Sequence, residues 1–281
     1  MFSGRDRRGT IRAMNPANPP RRYRFLVTAG NTRERIDAVR DWGNVFTGNT
    51  GYDIARALAS AGETELLTSN RFHLAELSSP GRSAAGAPAT PFPLRATGFT
   101  THEELKVQLS RLMDRAKYDA VFMTAAVADY RPERVFEVLE RRSEPARGDG
   151  HETWVVRDAQ AGKVKSTFGQ IAVLGGRTEK LVDLFRTAWG HHGLLVKFKL
   201  EVGITREELL QVGEASRRAT GADYLVANTL DMVQGAERGA YLLGDAGHEW
   251  VPRSQLAQRM LALATAETRP GKASGPVPAA G

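Results

Sequence analysis

The 281-residue chain contains no cysteine, so it can form no disulfide framework, no Cys-ligated zinc or iron–sulfur site and no thiol nucleophile. It also lacks any run of about 18 apolar residues of the kind that spans a bilayer. Its N-terminus lacks the apolar core of a signal peptide. These absences argue against disulfide-stapled, membrane-spanning and exported proteins, and they favour a cytoplasmic protein with no membrane partner.

Acidic residues are scarce at the two ends of the chain. Residues 1–24 contain seven arginines and a single aspartate, and residues 268–281 contain two basic residues and no acidic one. These ends therefore carry the basic excess of a chain with net charge +7, and the rest of the chain is close to neutral. Both ends are rich in Pro, Gly, Asn and Ala, a composition that cannot build a core. We therefore predict disordered tails over residues 1–22 and 268–281, one folded domain over residues 23–267, and no nucleic-acid partner.

Strands and helices alternate along the rest of the chain. Short apolar runs predict buried parallel strands, and apolar residues at helical spacing predict amphipathic helices. The pattern predicts an α/β fold, with a Rossmann-like, mostly parallel sheet covered by helices on both faces, in a single domain. The strands are expected at residues 23–30, 65–69, 118–128, 193–200 and 222–228, with a hairpin at 241–251. The helices are expected at residues 51–62, 101–117, 178–190, 206–218 and 254–267.

Two regions do not fit this alternation. Residues 78–93 are rich in Gly, Pro and Ala, which predicts a loop. Residues 133–161 are charged and interrupted, which predicts a mobile excursion that contains one β segment around residues 154–156.

Ligands of open parallel sheets bind at the carboxyl ends of the strands, so the segments that follow strands are candidate sites. The small residues 28–32, Thr-Ala-Gly-Asn-Thr, permit close approach to a ligand, and the Gly-rich segment 43–51 leads into a helix whose N-terminus can hold an anion. An ordinary strand-to-helix turn is an equal alternative. Residues 43–50 nearly spell a P-loop, but Asn49 stands where the lysine belongs and no strand precedes, which excludes that motif.

Three further segments carry charged or aromatic side chains near predicted strand ends. Asp129 and Arg131 can hold a ribose hydroxyl and a phosphate, although an Asp–Arg ion pair that stiffens a turn is the commoner case. Lys163 and Lys165 can bring positive charge to a triphosphate, although such pairs are usually solvated surface. Phe198 can stack on a base, although a phenylalanine here is more often part of the core.

The sequence lacks the motifs of metal-binding histidine sites and of nicotinamide-dependent oxidoreductases. The six histidines show no metal-ligand spacing, and His191 and His192 are expected to cap the preceding helix or to face solvent. A nicotinamide-dependent oxidoreductase of the short-chain type needs a tyrosine with a lysine four residues later, and none of the six tyrosines has one. The G-x-G-x-x-G fingerprint is also missing.

Taken together, these segments resemble one family, the phosphopantothenate–cysteine ligases of coenzyme A biosynthesis. The family pattern Thr-Ala-Gly-x-Thr-Arg-Glu-x-Ile-Asp-x-Val-Arg is matched by residues 28–40, and residues 43–51 loosely match the Gly-rich segment that follows it. Ala-Ala-Val-Ala-Asp-Tyr-Arg occurs intact at residues 125–131, Lys-x-Lys at 163–165 and Phe-Lys-Leu-Glu at 198–201. The resemblance is ordered and extends over most of the predicted domain.

The resemblance implies a two-step ligation. The carboxylate of 4′-phosphopantothenate attacks the α-phosphate of CTP or ATP, and the amine of L-cysteine then displaces the nucleoside monophosphate. Mg²⁺ would bridge the phosphates, no flavin is needed, and members are typically homodimers. Because the chain leaves no room for a flavin-binding decarboxylase domain, the resemblance implies a stand-alone ligase whose product passes to a separate phosphopantothenoylcysteine decarboxylase.

The resemblance also assigns roles to residues. Asn44 is implied to hold the acid carboxylate and the acyl intermediate, and Lys163 to neutralise the triphosphate. The resemblance implies that Mg²⁺ is held through the nucleotide phosphates and assigns it no protein ligand, with Asp129 as the one candidate carboxylate. Further acid-binding residues are implied at Arg40, Gly43, Thr47 and Gly48. Nucleotide-binding residues are implied at Gly30, Met123, Thr124, Ala125, Asp129, Lys165, Thr178, Lys180 and Phe198.

The chain departs from the family pattern on the helix before the last strand. Bacterial members that use CTP carry two lysines there, where this chain has Ser216 and Thr220. Together with the Phe-Lys-Leu-Glu form at residues 198–201, this departure favours ATP as the nucleotide. If CTP is used instead, Arg217 and Arg218 would take the place of the two lysines.

The loop around Asn44 departs as well, with Gly43, Phe46 and Asn49 in place of the usual residues. If these changes abolish ligation, the alternative is a non-catalytic nucleotide- or RNA-binding relative. A Rossmann-type oxidoreductase is the alternative from another enzyme class.

Overall fold

A computed structural model describes residues 22–78, 90–143, 152–159, 162–234 and 238–267. The predicted tails lie outside these residues, apart from Arg22, and so does most of the loop predicted at 78–93. None of the helices within the described ranges is both long and apolar enough to cross a membrane.

An eight-stranded sheet forms the centre of the fold, in the order β13-β12-β11-β10-β6-β1-β4-β5. Six strands are parallel and the last two form an antiparallel hairpin. This arrangement confirms the predicted α/β, mostly parallel sheet. The parallel strands are β1 (Tyr23–Ala29), β4 (Gly62–Thr68), β5 (Leu94–Gly98), β6 (Ala120–Met123), β10 (Leu194–Glu201) and β11 (Tyr224–Thr229). The hairpin consists of β12 (Gly239–Gly244) and β13 (Gly247–Pro252).

Helices cover both faces of this sheet, as the alternating pattern predicts. One face packs Phe25, Ile54 and Met260 into a core beneath the first and last long helices. The other face packs Leu26 and Phe185 into a second core. Because neighbouring residues of a strand point to opposite faces, a continuous apolar run such as that of β1 fills both cores. The helices are α1 (Asn49–Leu58), α2 (Arg71–Ser78), α3 (His102–Arg115), α4 (Leu181–Thr187), α5 (Arg206–Ala219), α6 (Leu230–Gln234) and α7 (Arg253–Glu267).

Side-chain caps define where two of the predicted helices begin. Thr101 accepts a hydrogen bond from the N–H of Glu104 at the start of α3. Thr205 and Glu208 form a reciprocal capping box at the start of α5. Each cap satisfies backbone donors that the first turn leaves open, which explains why these boundaries agree closely with the sequence pattern.

Other boundaries shift from their predicted positions. Gly62, expected to end a helix, is the first residue of β4 and pairs with Tyr23. The apolar run expected as a strand to residue 128 leaves the sheet after Met123. The helix expected from Thr178 begins at Leu181, because the backbone and side chain of Thr178 bond to the loop after β6.

A short hairpin, β2 (Arg33–Arg35) and β3 (Asp41–Gly43), connects β1 to α1. The expectation that no strand precedes the Gly-rich segment is therefore wrong, and the exclusion of a P-loop rests on Asn49 alone. It contacts a second sheet of three antiparallel strands in the order β8-β7-β9, namely β7 (Tyr130–Ser143), β8 (Glu152–Asp158) and β9 (Ile171–Arg177). A Cβ on Gly175 would lie 3.2 Å from the ring of Trp42. The close approach of these two residues fixes the second sheet against the hairpin.

The β segment predicted around residues 154–156 is confirmed as the middle of β8, but the mobile excursion predicted for the rest of residues 133–161 is wrong where these residues form β7. Its charges are organised as cross-strand pairs: Arg157 pairs with Glu137 directly opposite, and Arg141 pairs with Glu152 at 2.7 Å. Opposite charges across a ladder stabilise the pairing of exposed strands. The charge content that suggested irregular structure therefore belongs to a solvent-exposed sheet.

His191 is buried, whereas His192 is exposed. The N–H of His191 donates to Phe185 O at 2.8 Å, so its backbone caps α4 as expected, and its ring lies 3.1 Å from Leu194 O. Burial lowers the pKa of His191 from 6.5 to about 4. The neutral ring donates Nε2–H to the carbonyl.

We expect acid to destabilise the fold through His191. Because its pKa is lower in the folded than in the unfolded state, its contribution is complete above pH 6.5 and is lost as the pH falls towards 4. The loss amounts to about 3 kcal/mol. Denaturant unfolding at several pH values should show a shallower pH dependence for His191→Gln, and His192→Gln should behave like the wild type. Equal pH dependence in all three proteins would contradict this assignment.

Candidate functional site

The candidate site lies at the carboxyl edge of the main sheet, where β1, β4 and β6 end side by side. Gly30 and Asn31 follow β1, and Ser69 follows β4. The N–H of Asn31 donates to Ser69 Oγ at 2.9 Å, and an isolated bridge joins Asn31 to Ala126 beyond β6. The structure thus brings together segments that are far apart in sequence at one edge.

Asn44 is exposed and directly follows β3. Its Nδ2 donates to Ala126 O at 3.2 Å, and Asn31 Nδ2 donates to Asn44 O. The carboxamide therefore lies between the ends of β1 and β6. This is the switch point of the sheet, because the chain runs from β1 to β4 and β5 on one side and continues at β6 on the other. Ligands of doubly wound sheets bind at such points.

Glycines allow the start of α1 to approach the end of β1. Gly48 precedes α1 with φ of +79°, and a Cβ there would lie 3.0 Å from the carbonyl carbon of Ala29. A Cβ on Gly51 would lie 2.9 Å from Thr28 O. No side-chain hydrogen bond from a described residue caps this helix, so its first N–H groups are open to an anionic ligand.

A buried histidine fixes the loop that leads into α1. The ring of His73 stacks on Tyr52 at 4.3 Å between centroids. Its Nδ1 lies 3.2 Å from Thr68 Oγ1 and its Nε2 lies 3.1 Å from Asn49 Oδ1. Thr68 Oγ1 also accepts from the N–H of Asn70 at 3.1 Å, and Asn70 Nδ2 lies 3.3 Å from His73 Nε2. Burial lowers the pKa of His73, which favours the neutral ring.

The carboxylate of Asp37 connects the β2–β3 turn to the loop that carries the two candidate lysines. It accepts from the N–H groups of Val39, Arg40 and Val164 at 2.8, 2.9 and 3.1 Å. It also pairs with the Arg40 guanidinium at 3.1 Å, and its side chain is only 1% exposed. These donors, the N–H of Val39 first, hold the pKa of Asp37 below its ordinary value.

Lys163 and Lys165 flank a buried anchor. Val164 is 1% exposed, whereas both lysines are exposed. Val164 O accepts from Arg40 Nη2 at 3.3 Å. The backbone of the lysine loop, residues 162–165, is therefore fixed on the hairpin that also delivers Asn44, while both ammonium groups reach solvent.

Thr28, which is fully buried at the end of β1, organises the loop after β6. Its Oγ1 accepts from the N–H of Ala125 at 3.1 Å and lies 3.6 Å from Met123 Sδ. Thr124 Oγ1 donates to Thr28 O. Met123, at the end of β6, and Thr124 and Ala125, just after it, are thus held against the end of β1.

Thr178 ties the start of the α4 segment to the loop after β6. Its N–H donates to Asp129 O at 3.0 Å. Asp129 and Lys180, the latter two residues after Thr178, are both exposed. No ion pair joins Asp129 to Arg131 among the residues that the structure describes. In the ranges that the structure describes, no three His, Asp or Glu side chains gather as metal ligands. Asp129 therefore stands as a single carboxylate beside the predicted phosphate contacts.

The predicted nucleotide residues occupy both faces of the sheet. Phe198 is half-buried and packs against the core beneath α1 and α7, where it also borders a small pocket with Thr50 and Asn228. Leu181, at the start of α4, belongs to the core on the opposite face. A nucleotide that contacts both Phe198 and Lys180 must therefore extend across the edge of the sheet.

Ser216 and Thr220, which stand where CTP-using members carry lysines, form hydrogen bonds within the protein. Lys197 Nζ donates to Ser216 Oγ and O at 3.0 and 3.2 Å, and burial lowers the pKa of Lys197 to about 8. Thr220 Oγ1 donates to helix carbonyls. Thr220 thus uses its hydroxyl hydrogen within the helix, and Ser216 Oγ is an acceptor for Lys197.

The two arginines of α5 are engaged as well. Arg217 is buried and pairs with Glu214 and Asp245, each at 2.8 Å. Arg218 pairs with the same Glu214 at 2.6 Å. The Arg217 guanidinium lowers the pKa of Glu214 to about 2, so these pairs persist at neutral pH.

Sequence reasoning missed a group of polar residues at the ends of β1 and β4. Asn31 and Ser69 join the two strand ends, Asn70 Nδ2 donates to Thr47 O at 2.9 Å, and His73 holds Asn49. Asn31 lies within the predicted segment 28–32, whereas Ser69, Asn70 and His73 belong to no motif. Their position directly after strand ends was the available signal, but β4 was predicted only weakly and α2 was not predicted.

The chain has relatives of known family. Residues 21–145 match the family described as DNA/pantothenate metabolism flavoprotein, C-terminal domain. Over 242 residues the chain is 29% identical to the coenzyme A biosynthesis bifunctional protein CoaBC of Thermococcus kodakarensis, a match that covers 84% of this chain and 49% of that protein. The chain thus spans about half the length of the curated relatives it matches.

Two solved structures share its fold. The DNA/pantothenate metabolism flavoprotein of Streptococcus pneumoniae aligns with a TM-score of 0.67 and 23% identity, over 87% of this chain and 99% of that chain. A Cab2 mutant in complex with phosphopantothenate-cysteine aligns with a TM-score of 0.57 and 14% identity, over 86% of both chains. The family match confirms the resemblance inferred from the motifs, and the structural likeness confirms the fold.

Proposed function

We propose that this chain, whose residues 21–145 match the family described as DNA/pantothenate metabolism flavoprotein, C-terminal domain, is a phosphopantothenate–cysteine ligase. In this proposal it joins 4′-phosphopantothenate to L-cysteine in the cytoplasm and cleaves a nucleoside triphosphate to monophosphate and pyrophosphate. The product, 4′-phosphopantothenoylcysteine, serves coenzyme A biosynthesis. The names of the CoaBC relative and of the Cab2 complex support this choice.

One observation carries the proposal: the two candidate catalytic residues depend on the same hairpin. Asn44 directly follows β3, and the lysine loop bonds to Asp37 and Arg40 in the turn between β2 and β3. A carboxylate held at Asn44 and a triphosphate held at Lys163 would therefore have a fixed relative position. Positioning and charge neutralisation suffice for this chemistry, since no covalent enzyme intermediate is required.

In the first step, a carboxylate oxygen of the acid attacks the α-phosphorus of the nucleotide. The new O–P bond gives an acyl-nucleotidylate, and the bond from the α-phosphorus to the bridging oxygen breaks, so pyrophosphate leaves with that electron pair. Asn44 Nδ2 uses one hydrogen on Ala126 O and has a second for the carboxylate. Lys163 neutralises charge that develops on the leaving pyrophosphate, and Lys165 supports the same phosphates.

In the second step, the amine of cysteine attacks the acyl carbon. A C–N bond forms, the C–O bond to the nucleotide breaks, and the nucleoside monophosphate leaves while the amine releases a proton to the solvent. The side chain of Asn44 would hold the acyl group through both steps. The thiol of this chemistry arrives with the substrate, because the chain has no cysteine of its own.

Mg²⁺ fits this site as a partner of the phosphates rather than of a protein cage. Asp129 is the exposed carboxylate beside the predicted phosphate contacts. Mg²⁺ is usually held by one or two carboxylates together with phosphate oxygens and water. When bound, it would offset the negative charge of the triphosphate, and Asp129 would orient it.

We propose ATP rather than CTP as the nucleotide. Ser216 and Thr220 stand where CTP-using members carry lysines, and the substitutes Arg217 and Arg218 are both held by Glu214. None of these side chains is placed to offer a free cation to cytosine. A nucleotide whose base is recognised without these lysines fits this arrangement better.

We also propose that the protein is a homodimer that associates through the β7–β8–β9 sheet. This sheet exposes large apolar side chains, including Leu139, Trp154 and Leu174 at 52, 45 and 50%. Clusters of exposed apolar residues mark association surfaces.

The direct test of the ligase is pyrophosphate–nucleotide exchange. With 4′-phosphopantothenate, Mg²⁺ and ATP but no cysteine, labelled pyrophosphate should enter ATP, because the first step is reversible. Addition of cysteine should then yield amide product and AMP. CTP should support exchange at a rate at least about tenfold lower. Absence of acid-dependent exchange with either nucleotide would refute the ligase assignment, and faster exchange with CTP would refute the choice of ATP.

Variants separate the roles within the same assay. Asn44→Ala and Lys163→Ala should each lower exchange by about 100-fold, since each removes a preorganised donor or charge at the reacting groups. Lys117→Ala, which removes an exposed lysine just beyond α3, is the matched control and should exchange at the wild-type rate. Near wild-type exchange by either site variant would exclude the role assigned to it.

Sedimentation velocity tests the dimer. The wild type should sediment with the mass of two chains, and Leu174→Glu should shift it towards one, because a buried unpaired charge disfavours association. Val212→Glu changes a valine of 41% exposure on α5 and should leave the dimer intact. A monomeric wild type, or a Leu174→Glu variant that stays dimeric, would contradict the proposed interface.

A further inference from the structure

A pocket of about 350 Å³ lies at the amino edge of the main sheet, where β1, β4 and β5 begin and α3 ends. We call it the amino-edge pocket. β1 has seven residues and is therefore about 20 Å long, so the pocket is well separated from the candidate site at the carboxyl edge. The charged and hydroxyl side chains that line it are Arg24, Glu63, Glu65, Arg95, Arg115 and Tyr118.

Two arginines converge on Glu65, which lies on β4. Arg95 is directly opposite Glu65 in the β4–β5 ladder, and its Nη1 lies 4.0 Å from Glu65 Oε1. Arg115, the last residue of α3, donates from Nη2 to the same oxygen at 3.0 Å. The side chain of Glu65 is only 16% exposed, whereas the two arginine side chains are 59 and 66% exposed. One half-buried carboxylate thus holds two guanidinium groups that reach solvent.

A second pair of arginines is held by Glu63. Arg24 lies opposite Glu63 in the β1–β4 ladder, and its Nε lies 3.9 Å from Glu63 Oε2. Arg22 Nε lies 3.1 Å from Glu63 Oε1. The N–H of Arg24 donates to Asp119 Oδ2 at 2.9 Å, which fixes the backbone at this strand end. Because Glu63 precedes Glu65 by two residues, both carboxylates lie on the same face of β4, at positions roughly 6.5 Å apart along the strand.

These contacts give the amino-edge pocket an excess of positive charge. Four guanidinium groups share two glutamate carboxylates. Each guanidinium has five N–H donors, of which one carboxylate accepts at most two. The remaining donors are open to an anionic ligand, and the planar fork of arginine matches the oxygens of a phosphate group.

A buried tyrosine hydroxyl belongs to the same pocket. Tyr118 is only 6% exposed, and its hydroxyl has no hydrogen-bond partner among the residues that the structure describes. A buried hydroxyl without a partner costs free energy that a bound acceptor would recover. Burial and then the Glu65 carboxylate raise the pKa of Tyr118 to about 12. The hydroxyl therefore keeps its proton at neutral pH and can donate it to a ligand oxygen.

We propose that the amino-edge pocket is a second ligand site, which binds a small molecule carrying a di- or triphosphate group. Two arginine pairs, one at each glutamate of β4, suit a chain of phosphates, because a single phosphate is too short to contact both pairs. The Tyr118 hydroxyl donates to one of the phosphate oxygens. A volume of about 350 Å³ lies within the range of small-molecule sites. The inference does not depend on the proposed ligase function.

Isothermal titration calorimetry with inorganic tripolyphosphate tests the site. The titrated protein carries Lys163→Ala and Lys165→Ala, so that the lysine loop does not contribute to binding. Tripolyphosphate should bind at least about tenfold more tightly than orthophosphate, because it reaches both arginine pairs. In this background Arg95→Gln should raise the Kd for tripolyphosphate about 10- to 100-fold and Tyr118→Phe about 3- to 10-fold, the ranges for loss of a charged and of a neutral hydrogen bond. No binding of tripolyphosphate, or equal affinity for orthophosphate, would overturn the inference, as would an unchanged Kd in both variants.

Tyr118→Phe also has an expected effect without ligand. It should raise Tm by about 2–4 °C, because the variant no longer buries an unpaired hydroxyl, so its weaker binding would not reflect a damaged fold. A lower Tm together with an unchanged Kd would show that the hydroxyl is bonded within the protein and would overturn the inference.

Matched controls lie at the other end of the sheet. Arg259→Gln changes an arginine of α7 that pairs with Glu249 at 2.6 Å, and Tyr241→Phe changes a half-buried tyrosine of β12. Both controls should bind tripolyphosphate with unchanged affinity. A loss in Arg259→Gln as large as that in Arg95→Gln would show a general effect of charge and would contradict a site at the amino-edge pocket.

Discussion

The candidate site depends on the buried carboxylate of Asp37. It collects three backbone N–H groups and one guanidinium, and it thereby joins two segments that are more than a hundred residues apart. A buried carboxylate is stable only where its oxygens are satisfied by hydrogen bonds or an opposite charge. Because its donors come from both the β2–β3 turn and Val164, the lysine loop can adopt its position only when the hairpin has formed. Arg40 strengthens this connection by bonding to both Asp37 and Val164 O.

The order of the strands determines where the β2–β3 hairpin places Asn44 in the main sheet. The hairpin delivers Asn44 to the gap between β1 and β6, and the sheet continues in opposite directions from there. In our account the acid carboxylate lies at Asn44 and the nucleotide triphosphate lies beside Lys163. The reacting carboxylate and the α-phosphate then meet at the gap, with charge supplied by the lysine loop. The arrangement requires no nucleophile from the protein, in keeping with a chain that lacks cysteine.

Sequence patterns predicted five of the six parallel strands, because continuous apolar runs and capped helices such as the one that begins after Thr205 carry local signals, but they missed β5. They found only the middle of β8 and missed β7, where charges are satisfied across strands, and that pairing is not visible in a linear pattern. The motifs named Asn44 and Lys163 as candidates, but not that Asp37 connects their segments, since an aspartate in a turn is common. Asn70 and His73 were missed because α2 was not predicted and their contacts depend on a neighbouring loop.

Amide hydrogen exchange in an Asp37→Ala variant tests the central claim most directly. We predict at least about tenfold faster exchange over residues 162–168, because the buried N–H of Val164 loses its acceptor, together with a lower kcat for ligation. Exchange in β10 should stay unchanged, and Asp41→Ala, which alters an exposed aspartate of β3, should match the wild type. Wild-type exchange over residues 162–168 with a wild-type kcat in Asp37→Ala would contradict the account.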